Sequence, residues 1–411
     1  MNLVKKYVGI PLVLRIAIGL VIGALLGLAI PADSGRFLIL LGELFIGSLK
    51  ALAPILVFVL IIASIARSKH IEGKVIRDIV VLYMLTTLIA AVIAVIVANI
   101  WQIKLVFPGS DADYSSAPSG IGEVLYNFVL GIFSNPVAAI ANGQYISILC
   151  WACIFGVILK KSGDVTKGFL QDVADCVSKT IAYVIQLAPF GILGIAYTNV
   201  ATNGIEIFTN YGLLIVELVG TMIVTSCIIN PILGTFFLKR NTYPLLWRCL
   251  KKSAITAFFT RSSAANIPMN MELCKELGLD EDIYSVTIPL GSVINMDGAA
   301  VVITIMTLST VFTLGIQTSF PMMILLSVIA TLAACGTSGV AGGSLMLIPM
   351  ACSIFGIPQN IAWQVVGIGF IIGVIQDSFE TALNSSGDAF FTAVAEFKDR
   401  QRKGRGNEVV F

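Results

Sequence analysis

Charge is what this sequence has least of. Only 12% of its 411 residues are Asp, Glu, Lys or Arg, where an ordinary soluble domain carries about 25%. A fold in water could not hide the 57% of residues that are hydrophobic, so lipid is the natural solvent for much of the chain. A net charge of +2 excludes the strong basic field that a nucleic-acid partner would require. Histidine is nearly absent. His70 is the only one and stands in a polar loop, which argues against a zinc enzyme of the usual ligand type. The eight cysteines follow no framework of spacings. Cys150-Trp151-Ala152-Cys153 lies in an apolar run without partner ligands, so it reads as two small apolar fillers. Soluble linkers and low-complexity stretches are missing as well.

What is present is a series of apolar runs. About 20 such residues carry a helix across the hydrocarbon core. Spans are expected at 13–30, 37–64, 79–101, 125–159, 172–198 and 210–238, then a polar interlude at 239–282, then strong spans at 283–314 and 360–396. The start could mimic a signal peptide, with Lys5, Lys6 and Arg15 before the first run. No clear cleavage site follows and more spans come at once, so it reads as an uncleaved first helix. Basic residues collect before span one and after spans two, four and six (Arg67 to Arg77, Lys160 to Lys167, Lys239 to Lys252) and in the tail at 398–411. By the positive-inside bias both termini are cytoplasmic.

Parity then constrains the apolar segment 321–355. If it crossed, the basic tail would end outside, so it is expected to enter and return on one side as a re-entrant hairpin. Its middle, Cys335-Gly336-Thr337-Ser338-Gly339-Val340-Ala341-Gly342-Gly343-Ser344, is a poor helix interior and a good tip. Segment 253–278 repeats the pattern around Thr260-Arg261-Ser262-Ser263-Ala264-Ala265-Asn266-Ile267-Pro268. Each hairpin precedes a span with an Asn/Asp pair: Asn295 and Asp297, then Asn384 and Asp388. Bare backbone at membrane depth is tolerated only inside protein or against a cavity, and paired interruptions point to a transporter's binding site.

Between Glu276 and Phe397 there is no Lys, Arg or His, yet the two spans carry Asp297, Asp377, Glu380 and Asp388. A carboxylate at the bilayer centre costs about 2.5–3.5 kcal/mol even on a lenient scale. Balancing charge must come from protonation, a bound cation, a substrate amine, or Arg261. Asp377, Thr381, Asn384 and Asp388 fall on one helical stripe about 16 Å long, with Glu380 at its edge. Carboxylate, amide and hydroxyl oxygens suit hard cations. A local unwinding at Asn295-Met296-Asp297-Gly298 would let both Asn295 and Asp297 reach one site. Arg261 reads either as a cytoplasmic anchor or as a cation reaching these acids, with Glu380 its first partner. Lys50 reads as snorkelling or structurally paired. Tyr83, Thr86 and Thr87 read as packing, with hydroxyls bonded to their own helix.

Thr260-Arg261-Ser262-Ser263, Asn295-Met296-Asp297-Gly298, Gly336-Thr337-Ser338-Gly339 and the series Asp377, Asn384, Gly387-Asp388 carry a family resemblance over nearly the whole chain. The sequence resembles the dicarboxylate/amino acid:cation symporters of the glutamate-transporter fold, and among them most the bacterial sodium/serine-threonine symporters. The resemblance implies an all-α polytopic inner-membrane protein with eight transmembrane helices, two re-entrant hairpins and inverted repeats, assembled as a homotrimer. Residues 1–78 and 125–198 would form a scaffold. Residues 79–101 and 210–397 would form a transport domain that moves like an elevator. It also implies substrate contacts from Ser262, Ser263, Val340, Gly342, Asp377 (to the ammonium), Glu380, Thr381 and Asn384. Sodium sites would involve Gly291, Asn295, Asn384 and Asp388; Met296 and Thr337; and Tyr83, Thr86, Thr87, Asn295 and Asp297.

Departures from the family pattern bear on specificity. The arginine that clamps an acidic side chain is Glu380 here, so a second carboxylate would be repelled. Ala299, Ala341 and Ala264 stand where the family has threonine, proline and serine. The expected activity is sodium-coupled import of small neutral amino acids, serine and threonine above all. A proton-coupled symporter of the same fold is the alternative within the class. An intramembrane aspartyl protease using Asp297 and Asp388 is the remote one, with Ser385 standing where its motif has glycine.

Overall fold

The computed structural model of the chain describes residues 10–67, 74–107, 130, 133–205, 207–335, 337 and 342–405. All regular structure among them is helical, as expected where lipid offers the backbone no hydrogen-bond partners. The first three helices are α1 (Leu12–Ala29), α2 (Arg36–Arg67) and α3 (Lys74–Trp101). The expected span at 125–159 is broken where it is described. Asn135 caps the short helix α4 (Pro136–Asn142), accepting from the backbone N–H of Val137 at 2.9 Å and Ala138 at 3.1 Å. Gly143 ends it in the left-handed region (φ 63°) before α5 (Tyr145–Leu159). The fifth expected span is also two helices, α6 (Asp164–Ile185) and α7 (Ala188–Asn203), bent by 54° beside Pro189.

In the C-terminal half, α8 (Ile207–Val224) passes through a π-turn at Thr225–Ile229 into α9 (Asn230–Leu238). Helix α10 (Tyr243–Cys249), a second π-turn at Leu250–Ala254, and α11 (Ile255–Thr260) make one arm, and α12 (Ile267–Glu276) returns. This arm starts at Tyr243, not at 253, because Pro244 opens a helix inside the polar interlude. Helices α13 (Glu281–Ile294) and α14 (Asp297–Thr313) are parted by Asn295 and Met296. A second helix–turn–helix follows, with α15 (Phe320–Ala334) as one arm and a 3₁₀ turn (Ser344–Leu347) with α16 (Ile348–Ser353) as the other. Helix α17 (Gln359–Arg402) has 44 residues, a length of about 66 Å at 1.5 Å per residue.

Among the described residues five helical segments are long and apolar enough to cross a membrane: α2, α3, α8–α9, α13–α14 and α17. The bent pair α6–α7 makes a sixth. Helices α1, α5 and α15 are apolar but shorter. Leu25, Phe37, Ile96, Val216 and Phe236 face outward, a surface that suits lipid better than water.

Helix α1 lies against α7 so closely that a Cβ on Gly19 or Gly23 would stand 2.2 or 2.3 Å from a carbonyl oxygen, of Pro189 and Leu193 respectively. Small residues four apart let helix backbones touch where lipid gives no hydrophobic drive. Helix α2 packs on α5, α6 and α7. Helix α3 instead turns Tyr83, Thr86, Thr87, Ala90 and Ala94 toward α13, α14, α15 and α17. Helix α17 is buried almost without interruption from Ile361 to Phe397 and touches most elements of the C-terminal half. The acids read from the sequence sit on this axis and on the helix broken beside it.

Candidate functional site

The break between α13 and α14 builds the first part of the site. Asn295 (φ −92°, ψ 80°) and Met296 (φ −120°, ψ 50°) leave the helical region. Carbonyls at the end of α13 and N–H groups at the start of α14 thereby lose their helical partners. Asn384 on α17 fills one of these gaps, its Oδ1 accepting from Gly298 N at 2.7 Å. Asn295 Nδ2 donates to Asn384 O at 3.0 Å and to Asp388 Oδ1 at 2.9 Å. The Asn384 amide nitrogen faces Met296 Sδ at 3.4 Å. Asp388 Oδ2 is buried with no hydrogen-bond partner among the described residues. A Cβ on Gly291 would come within 2.8 Å of Asp388 Oδ1 and 3.0 Å of the Tyr83 hydroxyl, so only glycine leaves that space open.

The unwinding is narrower than expected, and Gly298 serves another purpose. It lies inside α14 with an ordinary helical backbone. A Cβ there would stand 2.8 Å from Glu380 Cα, so its absence lets α14 meet α17 backbone to backbone.

Helix α3 brings hydroxyls to the same place. Tyr83 donates to Asp388 O at 2.9 Å and lies 2.8 Å from Thr392 Oγ1. Thr86 and Thr87 Oγ1 stand 3.1 and 2.9 Å from Asp297 Oδ1, and Thr86 Oγ1 is 3.5 Å from Asn295 Oδ1. Both hydroxyls also lie within reach of Tyr83 O, at 3.0 and 2.9 Å. The expectation that they bond their own helix is therefore half of the arrangement. Asn230, at the start of α9, adds an amide 3.4 Å from Asp297 Oδ2. Asn295, Asp297 and Asp388 are fully buried.

Arg261, at the first tip, and Gly342, ahead of the second unit's return arm, meet at Asp377. Arg261 ends α11 in the left-handed region (φ 53°), uncommon outside glycine. Its Nε donates to Asp377 Oδ2 at 2.6 Å and its guanidinium reaches Gly373 O at 3.3 Å. Of the two sequence readings, the cytoplasmic anchor gives way and the cation that reaches the buried acids holds, with Asp377 and not Glu380 as its ion-pair partner. Glu380 Oε2 accepts from Ser344 Oγ at 2.8 Å and from the Gln376 amide. Gly342 N donates to Asp377 Oδ1 at 3.2 Å. The Thr381 hydroxyl is turned to its own helix, donating to Asp377 O at 2.8 Å. Ser263 is buried, and Ser262 Oγ accepts from Ala265 N at 3.2 Å within the first tip. Thr337 is buried and donates to Ala334 O at 2.9 Å. Val340, with Gly336, Ser338, Gly339 and Ala341, lies outside the described residues, as does His70. Lys50 is exposed on α2, and Cys150 and Cys153 are free thiols.

Sequence reasoning passed over Asn266, Asn270 and Gln376, three polar side chains beside the site. Asn266 and Asn270, on the return side of the first tip, donate to Ser385: Asn266 Nδ2 to Oγ at 2.7 Å, Asn270 Nδ2 to O at 2.9 Å. Two asparagines four apart on a helix with a buried face were the available signal. Gln376, holding Glu380, was the third.

Among the described residues no three His, Cys, Asp or Glu side chains converge as a transition-metal centre needs. Amide, hydroxyl, carbonyl and carboxylate oxygens around a carboxylate with an unpartnered oxygen suit a hard monovalent or divalent cation. Residues 12–397 match the family model of the sodium:dicarboxylate symporter family.

The chain belongs to this family.

Relatives agree with the match. The chain is 52% identical over 402 residues to a Bifidobacterium adolescentis protein named serine/threonine transporter SstT, covering 97% of this chain and 92% of that one. It is 52% identical over 387 residues to the protein of that name from Streptococcus agalactiae serotype III, with 94% and 95% covered. It is 49% identical over 392 residues to that of Streptococcus thermophilus, with 95% and 97% covered. As a member of the symporter family the chain is a multi-pass membrane transporter and not an enzyme. The protease reading of Asp297 and Asp388 is thereby set aside.

Proposed function

We propose that the protein is a sodium-coupled symporter that imports small neutral amino acids, serine and threonine above all. The observation that carries this reading is the buried Asp388 Oδ2 beside the broken helix, which among the described residues has neither a hydrogen-bond partner nor an ion-pair partner. Sodium supplies the missing positive charge there. Gly291, Asn295, Asn384 and Asp388 hold one ion. Met296 and Thr337, through backbone, hold a second. Tyr83, Thr86, Thr87, Asn295 and Asp297 hold a third. The solute lies between the tips, its ammonium on Asp377, its carboxylate on Asn384 and the backbone about Ser263, with Ser262, Val340, Gly342 and Thr381 around it.

Glu380 sets specificity. Its carboxylate repels a second carboxylate, which favours serine and threonine over glutamate. The names of the relatives agree with that choice. Coupling is thermodynamic: ions neutralise Asp297 and Asp388 and order the second hairpin, so the solute site is complete only when ions are bound. The larger architecture follows the family: eight spans, two re-entrant hairpins, a scaffold of residues 1–78 and 125–198, and an elevator of residues 79–101 and 210–397. The carrier is a homotrimer in the bacterial inner membrane with both termini cytoplasmic.

The test is a competition panel in proteoliposomes. Under an inward sodium gradient, threonine should displace labelled serine far better than glutamate does. Equal competition by glutamate removes Glu380 from the specificity argument, and full uptake on a proton gradient without sodium replaces the ion.

A further inference from the structure

The ion pair between Arg261 and Asp377 occupies the carboxylate assigned above to the substrate ammonium. We propose that Arg261 is a built-in surrogate for the substrate's amine. It neutralises Asp377 in the empty carrier, gives way when a substrate ammonium arrives, and returns when the substrate leaves. The inference rests on the reading of Asp377 as the ammonium ligand.

Both oxygens of Asp377 are already engaged. Arg261 Nε holds Oδ2 at 2.6 Å and Gly342 N holds Oδ1 at 3.2 Å. Each oxygen keeps a second lone pair, but an ammonium beside the guanidinium would set two cations on one carboxylate, and displacing the guanidinium removes that repulsion. The pair is well shielded, its side chains 11% and 4% exposed, so Asp377 without a counter-charge is costly. Among the described residues Arg261 is the only base ion-paired with Asp377. The chain has no Lys, Arg or His between Glu276 and Phe397, and among the described residues none of Asp297, Glu380 and Asp388 has an ion-pair partner. Arg261 is also placed to move. It sits at a tip, its other contact is the Gly373 carbonyl at 3.3 Å, and it borders a small space lined by Ile16, Ala188, Phe370 and Gly373.

A carrier without this arginine has a cationic partner on Asp377 only while a substrate is bound. It should cross the membrane loaded in both directions and fail to return empty. Removing an internal competitor also raises the apparent affinity, because the binding-competent fraction grows.

The experiment compares wild type, Arg261→Gln, Arg261→Lys and Asp377→Asn in proteoliposomes. Sodium-driven net serine uptake into empty vesicles is measured beside serine–serine exchange into preloaded ones. In Arg261→Gln, net uptake should fall by about tenfold or more while exchange persists, because the unpaired buried charge burdens only the empty state. The serine KM for exchange should fall. Arg261→Lys should restore net uptake in part, since the cation is kept but the fixed fork is lost. Equal loss of both activities in Arg261→Gln, or loss of neither, overturns the proposal. If Arg261→Gln does not fold, an unchanged ratio of net uptake to exchange in Arg261→Lys overturns it instead. Asp377→Asn tests the parent reading separately: serine binding as in wild type would remove Asp377 as the ammonium ligand.

Discussion

A single methyl group is enough to probe the contact at the centre of the site. At Gly298 it would stand 2.8 Å from Glu380 Cα and 2.9 Å from Glu380 O, both backbone atoms that cannot turn aside. Gly298→Ala must push α14 off α17. Overpacking of this kind costs about 1–3 kcal/mol. The expected outcome is a lower thermal unfolding midpoint in detergent and a loss of serine uptake. An unchanged midpoint contradicts the close contact. The sequence marked this glycine as special for a different reason, backbone freedom at an unwound segment. Its residue type was legible and its purpose was not, because close approach depends on a helix that passes from far along the chain. Arg261 teaches the same lesson. Its charge was plain, but its partner depends on a left-handed backbone (φ 53°) that aims it at Asp377 and past Glu380.

Among the elements, the first helix–turn–helix is anchored through amides. Asn270 Nδ2 reaches Ser385 O at 2.9 Å and Ser385 Oγ at 3.1 Å, and Asn266 Nδ2 reaches Ser385 Oγ at 2.7 Å and Ser253 Oγ at 3.0 Å. Losing one partner of a buried hydrogen bond costs about 1–3 kcal/mol. Asn270→Ala should therefore lower stability by that order. Combined with Ser385→Ala, its effect should be non-additive by about 0.5–3 kcal/mol, since both touch one network. Additive losses in a double-mutant cycle by denaturant unfolding contradict the network. Helical stripes were readable at this scale: Asp377, Thr381, Asn384 and Asp388 share α17 because their spacing follows the helix period. Interruptions were less so. Apolar runs at 125–159 and 172–198 average over a capped turn at Asn135 and a 54° bend near Pro189, which hydropathy does not register.

Across the whole molecule, the arrangement concentrates negative charge where the protein supplies little to balance it. Asp377 has Arg261; among the described residues Asp297, Glu380 and Asp388 are met by hydroxyls and amides and by no ion-pair partner. The lack of basic residues between Glu276 and Phe397 was visible in the sequence and is the reason a cation is expected there. The part that the sequence could not show is which oxygens converge, since Tyr83, Thr86 and Thr87 come from α3, more than two hundred positions away from Asp297 and Asp388.

The most direct measurement follows radioactive sodium and labelled serine together into proteoliposomes holding wild type or Asp388→Asn. The buried acids, if balanced by what they carry, require sodium entry that depends on serine in the wild type and is lost in the variant. Serine entering the wild type at full rate with no sodium present, and no sodium following it when present, would contradict that claim.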